Sequence, residues 1–253
     1  MAEKMVLSTP LLIAYENMGQ DPRQYQKKYK RLMKVLALPY KTNKRQLDEA
    51  KEQGLNEAVY DRLIPQLQHS SDRDACLKTL AANTSFKVIL TEDKNLTLPY
   101  VDYRASFLKN QLSISLKASD SRSTLIPYLE QLCSSASKVT ICDNYFAQNW
   151  DNTQSLFRAV LPRHKLEIEF VETPDAVGVI KNSTKMTDDF VKSIHPDWSI
   201  QASEHYADLH DRYLLIKSPQ GKLEVMISSG FDHIWKKSNP KEITCVIREV
   251  ENE

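Results

Sequence analysis

The chain has 253 residues, 41% of them hydrophobic, with 34 Lys and Arg against 33 Asp and Glu, for a net charge of +1. That length holds one large domain or two small ones, and so balanced a charge leaves any affinity for nucleic acid to a local patch. With only 5 glycines, and neither GxGxxG nor GxxxxGK[ST], the chain lacks the marks of a Rossmann or P-loop nucleotide site.

Residues 1–82 read as helical. Pro22 opens a helix that runs through RQYQKKYKRLMKVLAL, with Tyr25, Tyr29, Leu32, Val35 and Leu36 at helical spacing, and Pro39 stops it. Asn43 caps the next segment, which Gly54 ends. A third helical stretch covers Leu55–Gln68 and a fourth Asp72–Ala82. Between Arg23 and Arg45 there are nine Lys or Arg and no Asp or Glu. This block, with Lys27, Lys28, Lys30 and Arg31, suits contact with nucleic-acid phosphates; the alternative is a solvated basic face on a helical bundle. Residues 43–65 have a helix-turn-helix look, with Ala50, Gly54 and Leu55 at the turn and Val59, Leu63 and Ile64 on the packed face.

From Ser85 the period changes. FKVIL, YVDYRASF and LSISLKA are strand candidates. Asp120–Ser123 is a candidate cap for a helix over 124–135, followed by a strand, KVTICDNYF. A helix over Asn152–Leu161, a strand KLEIEFVET, a helix over Lys185–Ile194 and a short strand at Trp198–Ala202 come next. A hairpin follows, with Tyr213–Ile216 and Leu223–Ile227 joined at Pro219-Gln220-Gly221. EITCVIREV is the last strand. Alternation of strands and helices from about residue 117 predicts an α/β fold: a mixed, largely buried sheet flanked by helices, with a small all-helical region before it. The expected division is 1–82 and 83–253, with 117–253 as the core of the second part.

The four cysteines, at 76, 133, 142 and 245, form no CxxC pair, so no metal site is expected and Cys142 and Cys245 read as reduced core residues. The start of the chain lacks the pattern of a signal peptide, and no apolar run approaches the ~20 residues of a membrane span. A cytoplasmic protein without a transmembrane segment or a cofactor is expected.

The hairpin carries the chemistry. Its first strand begins at His210-Asp211-Arg212, and its second ends at Ser228-Ser229-Gly230 with Asp232 beyond. In an antiparallel pair those two ends are neighbours. His210 and Arg212 lie two apart, on one face of a strand. An imidazole beside a permanent cation suits attack on phosphorus, with the guanidinium holding phosphate oxygens. Ser228 and Ser229 can add hydrogen bonds to the same phosphate, and Asp232 can orient an imidazole. Asp143, Asn144 and Tyr145, at the carboxyl end of strand VTIC, form a second polar cluster where α/β sheets gather ligands. The plain alternative is a salt-bridged strand edge and an ordinary turn.

The stretch 117–253 resembles a single phospholipase-D-like domain of the HKD superfamily. His210-x-Arg212 stands where that family has HxK, Ser229-Gly230-Phe231-Asp232 where it has Gly-Ser-x-Asn, and ICDNYF is similar to its strand with Asp-x-Tyr. The HDR form is closest to the C-terminal domain of MIT-domain proteins and to bacterial HDRFLIID-type domains of defence systems and mobile elements. Arg212 replaces the family lysine, Lys217 stands at its acidic position, and a single motif is present. The resemblance implies a metal-independent phosphodiesterase, a nuclease, in which His210 attacks, Arg212 and Ser229 hold the phosphate and Asp232 orients. The second histidine would come from the other subunit of a two-fold homodimer. It also implies an alternative, since the MIT-type relatives bind phosphoinositides or membranes: a non-catalytic domain for nucleic acid, a phospholipid headgroup or a partner protein. A partner in a multi-component antiviral defence system, and a regulator whose N-terminal helices read DNA, belong to the same set of expectations. Residues 1–82 resemble no family.

Overall fold

The computed structural model describes residues 3–94, 97–104, 111–172, 178–203 and 212–250. The chain is α/β and divides into two compact units, 1–110 and 111–253.

In the first unit, β1 (Met5–Leu7), α1 (Thr9–Glu16), α2 (Pro22–Val35), β2 (Tyr40–Lys41), α3 (Lys44–Glu52), α4 (Glu57–Leu67), α5 (Leu77–Ala82), β3 (Ile89–Thr91) and β4 (Tyr100–Asp102) follow one another. The four strands form one parallel sheet in the order β2-β1-β3-β4. The all-helical reading of 1–82 is therefore corrected: two of the four strands lie within it. Met5, Val6 and Leu7 are all buried, between two parallel neighbours. A strand buried on both faces shows no alternation, and three residues are too few to show a period at all. The compact units divide at 110/111 and not at the expected 82/83: β3 pairs with β1 and β4 with β3, within the first sheet.

The basic helix is present as expected. Asp21 caps α2, accepting from the Gln24 N–H at 3.2 Å, and Leu32 and Val35 face inward. Tyr29 stacks on Tyr15 of α1 with centroids 5.6 Å apart. Asn43 caps α3 through the Gln46 N–H at 2.9 Å. Gly54 ends this segment at φ +102°, a conformation that favours glycine. The expected helix pair of 43–65 thus exists as α3 and α4. Its second helix buries Val59, with Leu63 and Ile64 half-buried.

The second unit contains β5 (Gln111–Leu116), α6 (Leu125–Cys133), β6 (Lys138–Cys142), α7 (Trp150–Thr153), α8 (Ser155–Ala159), β7 (Leu166–Val171), α9 (Asp188–Lys192), β8 (Trp198–Ser203), β9 (Arg212–Ser218), β10 (Gly221–Ile227) and β11 (Ile243–Val250). They build a seven-stranded sheet in the order β5-β11-β10-β9-β6-β7-β8. β6, β7 and β8 are parallel, whereas β9, β10, β11 and β5 are antiparallel neighbours. One face, with Val139, Ile141, Ile168, Phe170, Leu214, Ile216, Val225 and Ile247, is buried. Leu125, Tyr128, Leu129 and Leu132 of α6 join this core. On the opposite face Lys138 reaches Glu169 at 2.6 Å and Glu167 at 2.9 Å, and Arg248 reaches Glu224 at 2.6 Å.

The helix expected over 152–161 is two short helices, α7 and α8. The helix expected over 185–194 is the shorter α9, capped by Thr187 through the Phe190 N–H. The candidate cap at 120–123 bonds to its own loop: Asp120 accepts from the Lys117 N–H, and Ser121 from the Ser123 N–H. Thr124 makes no side-chain capping bond to α6.

Candidate phosphate site at the open end of the hairpin

β9 and β10 form the expected hairpin. Gly221 closes its turn at φ +129°. The register pairs Arg212 with Ile227 and Ser218 with Gly221. The same β9 pairs with β6, Tyr213 opposite Cys142. Asp143, the residue after β6, Arg212, the first of β9, and Ser228, the residue after β10, therefore leave the sheet at one end. Three segments far apart in sequence converge there by register alone.

Asp143 is the anchor. It is 4% exposed. Its Oδ1 accepts the Tyr145 N–H at 3.0 Å and lies 3.8 Å from Arg212 Nε. Burial raises the pKa of its carboxyl. The N–H groups of Tyr145 and Phe231 and the Arg212 guanidinium oppose that, and the Asp232 carboxylate adds to it. The Arg212 side chain keeps 28% of its surface open to solvent. Its guanidinium carbon is 5.8 Å from the centre of the Tyr145 ring, and Tyr145 is exposed. The result is a partly open cation held between a buried carboxylate and an aromatic ring. Asn144, between the two, is half-buried.

The turn after β10 supplies the other side. The Ser228 Oγ accepts the Thr244 N–H at 2.9 Å, and the Ser229 Oγ donates to the Glu242 carbonyl at 2.8 Å. Both hydroxyls thus fasten the turn to the chain around β11. The Ser228 hydroxyl hydrogen is not used by that bond and remains available to a ligand. Gly230 lies against Asp232, which is 4% exposed. Asp232 Oδ2 is 3.9 Å from both His233 Nε2 and Lys236 Nζ.

Two features escape sequence reasoning. The first is Asn182, fully buried. Its amide donates to the Asp143 and Val171 carbonyls, both at 2.8 Å, and accepts the Ala147 N–H at 2.9 Å. It ties the loop after β6 to the end of β7. A lone Asn in a polar stretch gives no signal of this. The second is His233, 6% exposed, whose Nδ1 accepts the Lys241 N–H at 3.3 Å. Burial lowers its pKa, and Lys236, Lys241 and Arg122 lower it further, against Asp232. Beneath the site, Phe146 packs on Phe231 and Phe157 with centroids 5.6 and 6.1 Å apart. This ring cluster holds the 143–146 and 230–232 turns together.

His210 lies outside the described residues. Lys27, Lys28, Lys30 and Arg31 belong to α2 of the first unit, where Lys28 pairs with Glu92 at 2.9 Å. The first unit also holds a cleft of about 310 Å³ bordered by Arg45, Glu49, Cys76, Lys78 and Tyr100. No helix among the described residues is long and apolar enough to cross a membrane. Among the described residues no three His, Cys, Asp or Glu side chains converge as a metal site. No known family model matches the chain, and none of the curated proteins matches it.

Proposed function

We propose that the second unit is a metal-independent phosphodiesterase of the phospholipase-D-like type, with its site at the open end of the β9–β10 hairpin. The observation that carries this reading is the junction of Arg212 and the buried Asp143 with the end of β10, with His210 two residues before Arg212 in the sequence. In the reading, a neutral His210 nitrogen attacks phosphorus. A P–N bond forms and the P–O bond to the leaving group breaks. A second histidine, His210 of a two-fold mate, gives the leaving oxygen its proton and then takes one from the water that cleaves the P–N bond. Arg212 offsets the charge on the phosphoryl oxygens throughout, and Asp143 fixes its position. Asp232 orients an imidazole, and the Ser228 hydroxyl donates to the phosphate. The setting that goes with it is a cytoplasmic homodimer, serving a defence system with a partner protein.

A second reading, a phosphate-binding domain without turnover, is favoured by one observation: the Ser229 hydroxyl, at the family's serine position, already gives its hydrogen to the Glu242 carbonyl, which leaves Arg212 and Ser228 to hold a phosphate. The two readings separate on bis(4-nitrophenyl) phosphate in EDTA. The enzyme reading expects hydrolysis that falls at least a thousandfold in His210→Ala and about a hundredfold in Arg212→Ala. Absence of turnover, together with phosphate binding that Arg212→Ala weakens more than His210→Ala, would select the binding domain.

A further inference from the structure

The nine cations between Arg23 and Arg45 separate into two sets in the structure. Lys28 pairs with Glu92, Lys41 with Asp72, Lys44 with Asp48 and Arg45 with Glu49. Among the described residues Arg23, Lys27, Lys30, Arg31 and Lys34 have no such partner, and all five are exposed. They share α2, a helix of 14 residues without an acidic side chain.

Their spacing makes a ridge. At 3.6 residues per turn, positions 23, 27, 30, 31 and 34 fall within a sector of about 100°, opposite Leu32. The ridge from Arg23 to Lys34 is about 16 Å long. The chain from Pro22 to Leu47 has no Asp or Glu. A protein with a net charge of +1 has thus gathered a local, single-sign field on one helix.

We propose that this face of α2 docks the phosphate backbone of nucleic acid, independently of sequence. Along a duplex each strand presents a charge about every 3.4 Å of axis. Cations stepped three or four residues along a helix, ~4.5–6 Å apart, always find a phosphate within reach. An anionic membrane is a poorer fit. Helices that lie in a bilayer surface present an apolar face to it. The apolar side of α2 is turned inward instead: Leu32 and Val35 are buried and Tyr29 stacks on Tyr15. No Leu, Ile, Val, Met or Phe of the helix is exposed. As the substrate class of the phosphodiesterase proposed above, nucleic acid rests on that reading. As a bound polyanion it does not.

The test uses the full chain and a short labelled DNA duplex of mixed sequence, with affinity measured against salt. One variant replaces Arg23, Lys27, Lys30, Arg31 and Lys34 by Gln. The control replaces the paired Lys44 and Arg45 by Gln. The five-residue variant is expected to lose at least about a hundredfold in affinity near 0.1 M salt, and its log–log salt slope to fall by about four. The control keeps most of the affinity, and scrambling the duplex sequence changes neither. Circular dichroism matching the native chain shows that the variant is folded. An unchanged slope in the folded variant, equal losses in the control, or binding to phosphatidylserine vesicles but not to DNA would each overturn the proposal. Cleavage assayed beside binding in the native chain separates the two questions. Salt-dependent binding without any cleavage by the native chain keeps the ridge and sinks the enzyme; cleavage of the small diester without duplex binding does the reverse.

Discussion

A Cβ built on Gly230 would lie 2.5 Å from Asp232 Oδ1, well inside the contact distance of carbon and oxygen. Gly230 has an ordinary φ of −58°, so the requirement is space and not backbone conformation. The carboxylate occupies the volume a side chain would need, and Asp232 is too buried to swing away without exposing the turn that Phe231 anchors. Gly230→Ala is therefore expected to destabilise the second unit by about 1–3 kcal/mol, the range for an overpacked core. A drop of several degrees in the melting temperature checks it. A variant as stable as the native chain would mean that Asp232 is free to turn, and its place in the site would have to be given up.

At the scale of elements, the segment from Phe231 into the start of β11 is a strap fixed at four points. Lys241 N–H donates to His233 Nδ1, the Arg122 guanidinium to the Lys241 carbonyl, the Ser229 hydroxyl to the Glu242 carbonyl, and Thr244 N–H to the Ser228 hydroxyl. A protonated imidazole would turn a donor toward the Lys241 N–H and add charge beside Lys236, Lys241 and Arg122, against the opposing carboxylate of Asp232. The folded pKa of His233 is thus below the unfolded value of 6.5. The unfolded chain takes up this proton first, so stability is full above about pH 6.5 and is lost as pH falls below it. Asp143 acts in the opposite sense and lower: its raised folded pKa means the native state takes its proton first, nearer the carboxylate range. The expected result is a melting temperature that falls on acidification just below pH 6.5, with a smaller fall in His233→Gln; equal slopes in both proteins would remove His233 as the cause. The hairpin beside this strap was legible in the sequence because β9 and β10 are long, apolar and joined by a turn whose φ of +129° needs Gly221. β1 and β2 were not, because strands of three and two residues carry no period. Asn182 was not, because its value lies in three partners that only the fold supplies.

At the scale of the whole molecule, the single His-x-Arg motif sets a stoichiometry. If one histidine attacks phosphorus and a second protonates the leaving oxygen, and each subunit supplies one, the site belongs to the pair. Such sharing is measurable without knowing the geometry of the interface. Native and His210→Ala chains are mixed in varied ratio, unfolded together and refolded so that subunits pair at random. A shared site makes activity follow the square of the native fraction, because a mixed pair lacks either attack or protonation. At equal amounts this leaves about one quarter of the native activity, against about one half for subunits that work alone. The second-order curve also demands that activity per subunit fall on dilution through the dissociation constant of the pair. A linear mixing curve, with activity indifferent to dilution, would place both proton transfers within one chain. The residue to examine would then be His233, buried beside Asp232 at the end of the same hairpin.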